Sequence, residues 1–189
     1  MPLNQKLQNL MRNLPRATNS KIPNGSRGNL ATLKQMSQMA HKRSAHPKVR
    51  RLAESILVSA NKTSHHFLDE CKILAKFVQS QVRYLRDPVG TELLKDPVLQ
   101  IENIERGVAN GDCDDMSLLL ATLLLSIGAK PLWCITKFSS NSKSFNHIYV
   151  CCYEKNHYDK PKRLVMDTIL KDKPIGHEQR YFYKREIKA

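Results

Sequence analysis

Apolar positions recur at helical intervals through the first half of the chain, then in short dense runs through the second half, a change of period from helix to strand. Leu3, Leu7, Leu10 and Leu14 form a first stripe, which Pro15 stops. Asn19 to Asn29 is rich in Asn, Ser, Gly and Pro and reads as a linker. A second helix is predicted from about Leu30 to Arg43, with Leu30, Leu33, Met36 and Ala40 on one side. Pro47 suits the first turn of a third, whose apolar face is Val49, Leu52, Ala53, Ile56 and Ala60. A fourth, about Ser64 to Leu85, carries Phe67, Cys71, Leu74, Val78, Val82 and Leu85. Asp87-Pro88-Val89-Gly90 breaks it, and Asp96-Pro97 makes a second break before Asn110.

Met116 to Ile127 is the densest apolar segment and reads as a buried helix, with Gly128 placed to cap its C-terminus and Lys130 near the negative end of its dipole. Three strand-like runs follow, Pro131 to Phe138, Phe145 to Tyr153 and Lys162 to Ile169, joined by polar loops at Ser139–Ser144 and Glu154–Pro161. Helices first and strands afterwards predict an α+β fold: a helical N-terminal half, then a small antiparallel sheet packed on the cysteine-bearing helix.

Charge divides the chain differently. From Met1 to Ala53 there are eleven Lys or Arg and no acid; the rest carries twenty basic and seventeen acidic groups. Residues 1–29 therefore read as a basic arm with a short amphipathic helix, ahead of a domain over 30–189. Such an arm can meet nucleic acid, anionic lipid or an acidic protein surface, and its leucine stripe can dock in a partner's groove. No apolar run reaches the roughly 18 residues of a membrane-spanning helix, and no apolar stretch near Met1 has the form of a secretory signal. Five cysteines, odd in number and without a CxxC pair, point to free thiols in a reducing compartment rather than to a disulfide framework or a zinc site.

The residues that carry chemistry are Gly111-Asp112-Cys113-Asp114-Asp115, directly before the apolar helix. A thiol is nucleophilic only as thiolate, and a helix N-terminus, with its partial positive charge and unpaired N–H groups, favours an anion there. Asp112, Asp114 and Asp115 oppose that by like-charge repulsion, and helix capping is their expected role. Cys113 therefore needs an imidazolium partner. His147 is the candidate. With the loop centred between residues 157 and 158, hairpin partners should sum to about 315, which sets His147 opposite Asp167 or Thr168. His147 and Asp167 are then neighbours about 5 Å apart at Cβ, and the aspartate fixes the tautomer and aims the other nitrogen at the thiol. His157 lies in the turn; His41, His46, His65 and His66 belong to the helical half; His177 is the rival. Cys151 and Cys152 are adjacent on a strand and diverge to opposite faces, so they do not chelate together. The three aspartates lack the further ligands and glycine of a calcium loop. No metal or other cofactor is expected.

The order Cys, His, Asp on helix, strand and strand resembles the transglutaminase-like superfamily, with its papain-like α+β core. The match is to its small tailed-phage and prophage members. Tyr84-Leu85-Arg86-Asp87-Pro88, Glu92-Leu93, Asp96-Pro97, Gly111 to Asp115, Ile127-Gly128, His147 to Val150 and Met166-Asp167 carry it. It covers about residues 30 to 177. The resemblance implies Cys113 as nucleophile, His147 as base and acid, Asp167 as its orienter, and acyl transfer or amide hydrolysis through a thioester on a protein or peptide substrate. It also implies a place in the host cytoplasm or the virion, among phage structural proteins. The Cys113 N–H is the natural first oxyanion donor, and Tyr84 is a candidate for the second. The competing expectation, from another class, is a catalytically silent virion or assembly protein that uses the fold as scaffold and the basic arm for acidic partners or DNA.

Overall fold

The computed structural model describes residues 26–60, 66–87, 93–142, 144–154 and 161–189. The Leu3–Leu14 stripe and most of the basic arm lie outside these residues. Five helices precede the main sheet: α1 (Ser26–Ser44), α2 (Pro47–Ser59), α3 (Phe67–Gln81), α4 (Pro97–Glu105) and α5 (Cys113–Ser126). Two short strands, β1 (Arg83–Tyr84) and β2 (Asn110–Gly111), pair in parallel. The sheet proper is β3 (Leu132–Lys137), β4 (His147–Glu154), β5 (Lys162–Met166) and β6 (Tyr183–Lys188), in the order β5-β4-β3-β6 with every neighbour antiparallel. The α+β layout is the expected one.

The organising element is α5. Every side chain from Asp115 to Leu124 is buried, which is what a helix apolar on all sides requires. The other four helices and β4 all pack on it. Gly128, at φ 83°, ends it: the N–H groups of Gly128 and Ala129 return to the carbonyls of Leu125 and Leu124, a left-handed cap that glycine adopts without steric cost. Trp133 of β3 is fully buried and donates from Nε1 to Ser37 Oγ of α1 at 2.9 Å.

Several boundaries differ from expectation. α1 begins at Ser26, inside the supposed linker, and Asn29 Nδ2 donates to the Phe145 carbonyl at 3.2 Å. Leu30, read as part of the core stripe, is exposed. α3 stops at Gln81 rather than Leu85: Val82 turns extended, and the next residues leave the helix to pair with β2. That pairing spans nearly thirty residues of sequence, and local periodicity carries no trace of it. Asp96-Pro97 is a helix start rather than a break, for Asp96 caps α4 by accepting from Val98 N at 2.9 Å with proline in the first turn. The same carboxylate accepts from Arg43 Nε at 2.7 Å, tying α1 to α4. Tyr183–Lys188, beyond the three strands expected, is β6, and it covers the free side of β3.

Candidate active site

The five-residue motif is legible atom by atom at the start of α5. Asp112 is the N-cap: its Oδ1 accepts from the N–H groups of Asp114 and Asp115 at 3.1 and 3.3 Å. Asp115 is fully buried, and Lys95 meets it twice, from its backbone N at 2.8 Å and from Nζ at 2.7 Å. Burial pushes the Asp115 carboxyl above its usual range, and the Lys95 hydrogen bonds pull the other way. Gly111 is required by closeness: a Cβ there would sit 2.6 Å from Asp115 Cβ and 3.0 Å from Gln100 Nε2. The β1–β2 pairing holds Gly111 in place, with Tyr84 as its register partner and Leu85 N donating to its carbonyl at 2.9 Å.

Cys113 is half-buried, and its Sγ contacts Asp114 Oδ1 at 3.4 Å. Burial pushes the thiol pKa well up, the charges of Asp114 and then Asp112 add to that, and a backbone hydrogen bond from Ile148 acts against it. The resting group is a thiol. Burial is the larger cause, and the neighbouring carboxylates act in the direction expected of the motif.

His147 opens β4, and Asp167 is the first residue past β5. Both are buried, and Nε2 lies 2.7 Å from Asp167 Oδ2. The hairpin register is one residue from the expected one, running from Val150↔Met166 to Glu154↔Lys162. His147 and Asp167 still share a face, because both numbers are odd in a ladder that sums to an even number, and they meet diagonally beyond the last rung. The imidazole also stacks on Phe138, centroids 5.7 Å apart at 22°, and leans on Tyr149 at 5.7 Å and 34°.

The cysteine helix comes beside this pair at a gap in the sheet. Because β5 ends opposite Val150, Ile148 has no ladder partner on that side. The start of α5 supplies one: Ser117 Oγ donates to the Ile148 carbonyl at 3.3 Å, and the Ile148 backbone meets the Cys113 thiol. Thus His147 and Asp167 are joined directly, while Cys113 lies against the residue next to His147; no thiol–imidazole hydrogen bond is found among the described residues. Of the rival histidines, His177 is exposed in the loop after Ile175, His41 Nε2 is 3.0 Å from the Ala189 carbonyl, and His46 caps α2. His65 and His157 lie outside the described residues.

Lys95 and Phe138 were invisible to sequence reasoning, since neither spacing nor charge pattern ties them to the motif. Tyr84 is next to the site through β1, and its hydroxyl accepts from Arg86 Nε at 3.4 Å. One oxygen or sulfur each from Asp112, Cys113 and Asp114 lie within 4.8 Å of one another, the one cluster of metal-ligating groups at the described part of the site.

No protein-family model and no curated protein matches the chain. Among solved structures, a candidate protease from Parabacteroides distasonis is similar at 12% identity and a TM-score of 0.48, over 74% of this chain and 30% of that one. LapG of Legionella pneumophila is similar at 17% identity and a TM-score of 0.41, over 75% of each chain. Its calcium-bound form gives 13% and 0.34, over 88% of this chain and 73% of that one. The chain thus spans about a third of the length of the Parabacteroides protein. Likeness at this level carries no argument about activity; the α+β class rests on the chain's own helices and sheet.

Proposed function

We propose that the protein is a cysteine-dependent acyltransferase or amide hydrolase of transglutaminase-like type, acting on a protein or peptide through a thioester on Cys113. The observation that supports it is the buried His147–Asp167 pair, 2.7 Å apart, next in sequence to Ile148, whose carbonyl accepts from Ser117 Oγ of the cysteine helix. Asp167 holds Nε2, which leaves Nδ1 as the nitrogen that works. On substrate entry the thiol turns from Asp114 and gives its proton to Nδ1, and the thiolate attacks the amide carbon. The backbone N–H of Cys113 faces the developing oxyanion. Collapse of the tetrahedral intermediate expels the amine, which takes the proton back from the imidazolium, and leaves the acyl group on sulfur. Water releases an acid; a second amine gives a new amide. A place among phage or prophage proteins rests on the motif resemblance alone.

The raised thiol favours a second reading in which the core is a silent scaffold and the basic arm does the binding. The deciding measurement is the pH dependence of alkylation at each cysteine, read by peptide mass spectrometry, in wild type and His147→Ala. Labelling of Cys113 well below pH 8, lost in the variant, is expected of an activated pair. Slow labelling in both proteins, by a small alkylating agent and by a peptide-based electrophile alike, would leave the scaffold, since substrate entry is what turns the thiol towards His147.

A further inference from the structure

Cys151 and Cys152 leave β4 on opposite faces, and each meets another cysteine. Cys152 joins the helix-facing core, where its nearest titrating neighbour is Cys71 of α3. Cys151 lies on the outer face, with Cys134 of β3. The ladder pairs Cys134 with Tyr149 and Leu132 with Cys151, so the two cysteines are diagonal neighbours on one face. Their Sγ atoms are 2.9 Å apart, about 0.9 Å more than a disulfide of about 2.05 Å. Both thiols are fully buried and free, and the proposed acyl transfer uses neither.

The surroundings favour exchange chemistry. Arg163 Nη2 lies 3.7 Å from Cys134 Sγ, and its cation favours a thiolate in the pair. The Cys151 thiol is pulled below its ordinary pKa, by the hydrogen bond from Cys134 first, with Arg163 acting in the same direction. Among the described residues the outer cluster contains no helix side chain; Tyr149 shares it with the two cysteines, and Arg163 and Glu186 border it.

We propose that Cys134 and Cys151 are a cross-strand disulfide site, closed by a small-molecule disulfide and reopened by a small thiol. The Cys151 thiolate attacks one sulfur of the oxidant and releases a small thiolate. Cys134 loses its proton and attacks Cys151 Sγ in the mixed disulfide, releasing the second. Two protein thiols are oxidised and one small disulfide becomes two small thiols. The bond ties β3 to β4, the strand that begins with His147, and leaves Cys113 on the far side of the sheet as a thiol. Zinc is the competing occupant, since Glu186 brings an oxygen within 4.8 Å of both sulfurs. Arg163 argues against it, because its guanidinium already faces Cys134 and repels a second cation.

The test is to hold the full-length protein in oxidised glutathione, both native and while refolding from denaturant so that burial is no barrier, then quench with acid and alkylate under denaturing conditions. Expected are a loss of about two daltons, a fall from five alkylatable cysteines to three, and one linked peptide pair containing Cys134 and Cys151. Dithiothreitol should restore all five, and Cys151→Ser should form no such link. Five alkylatable cysteines under both regimes, a bond joining any other pair, or stoichiometric zinc protecting both thiols would overturn the proposal. If Cys151→Ser does not fold, the wild-type peptide map decides alone.

Discussion

The helix-facing side of the sheet and its outer side are built from alternate residues of the same strands. On β4, Ile148, Val150 and Cys152 enter the core shared with the helices, while Tyr149 and Cys151 join a small outer cluster with Cys134 and Val165. The inner face is held by burial against α5. The outer face is held by charge: Arg163 meets Glu178 and Glu186, Lys184 meets both, Tyr149 donates to Glu178, and Tyr153 donates to Glu186. His147 belongs by alternation to the outer series, and Cys113 comes from the inner layer. Where β5 stops short, α5 reaches the backbone of Ile148, the residue next to His147. The candidate site is a seam between two differently stabilised faces, so changes on either face and at the seam should separate cleanly.

The largest effect is expected at the seam. Cys113→Ala should lower turnover of an identified substrate on the order of 10⁴-fold or more, the loss typical of a removed nucleophile. The melting temperature should stay near that of wild type, because Cys113 is only half-buried. Full activity in this variant, measured on the same substrate, would end the thioester mechanism.

An inner-face change should do the reverse. Leu119 is fully buried in α5, and Leu119→Ala should cost about 2–5 kcal/mol in chemical denaturation through lost transfer energy and the cavity left behind. In the protein that remains folded, the Cys113 alkylation profile should be unchanged. A shifted profile would mean that packing along α5 positions the thiol, and the faces would not be separable.

Legibility in the sequence follows the same division. Dense apolar runs found α5, β3, β4 and β5, and the approximate hairpin register left His147 beside either Asp167 or Thr168; the true register, one residue away, is what puts Asp167 on the face of His147. The apolar pattern missed β6, whose sequence Tyr183-Lys-Arg-Glu-Ile-Lys188 reads as a charged tail. Those charges are its means of packing, since Lys184 and Glu186 pair with Glu178 and Arg163 on the outer face. It missed β1 because two residues have no period, and it misread Asp96-Pro97 because one dipeptide serves both to stop a helix and to start one. At the site, Asp112 as a cap was readable from local chemistry. The pairing of Asp115 with Lys95 was not, because no local pattern ties residues so far apart in sequence.

The outer face should be the more sensitive to acid. Burial alone would raise the Glu178 pKa, but hydrogen bonds from Arg163 and then Tyr149 outweigh it and hold the carboxyl down at about 2, against 4.5 for an ordinary glutamate. Its folded pKa is the lower one, so its contribution is present above about pH 4.5 and is lost as pH falls towards 2. Glu178→Gln should flatten the fall in stability across that window by about 1 kcal/mol, a figure reduced for partial exposure. An unchanged slope in acid denaturation would assign the acid sensitivity to other carboxylates and leave the outer face no more charge-dependent than the inner.

The smallest expected effect tests what the acids at the seam cost. Asp112 has two roles that one substitution can separate: it caps α5 through Oδ1, and its charge helps to push the Cys113 thiol up. Asparagine caps a helix about as well as aspartate, so Asp112→Asn should change stability by only a few tenths of a kcal/mol. The charge is gone, so Cys113 should alkylate faster near neutral pH, on the order of a few-fold. Asp114→Asn should give the larger gain, because Asp114 contributes more and contacts the sulfur itself. If neither rate moves, burial alone keeps the thiol protonated, and these charges at the start of α5 act on the helix rather than on the sulfur. If both rise while turnover falls, the acids restrain the nucleophile until substrate displaces it from Asp114 towards His147, and the motif trades resting reactivity for control over when the thiolate forms.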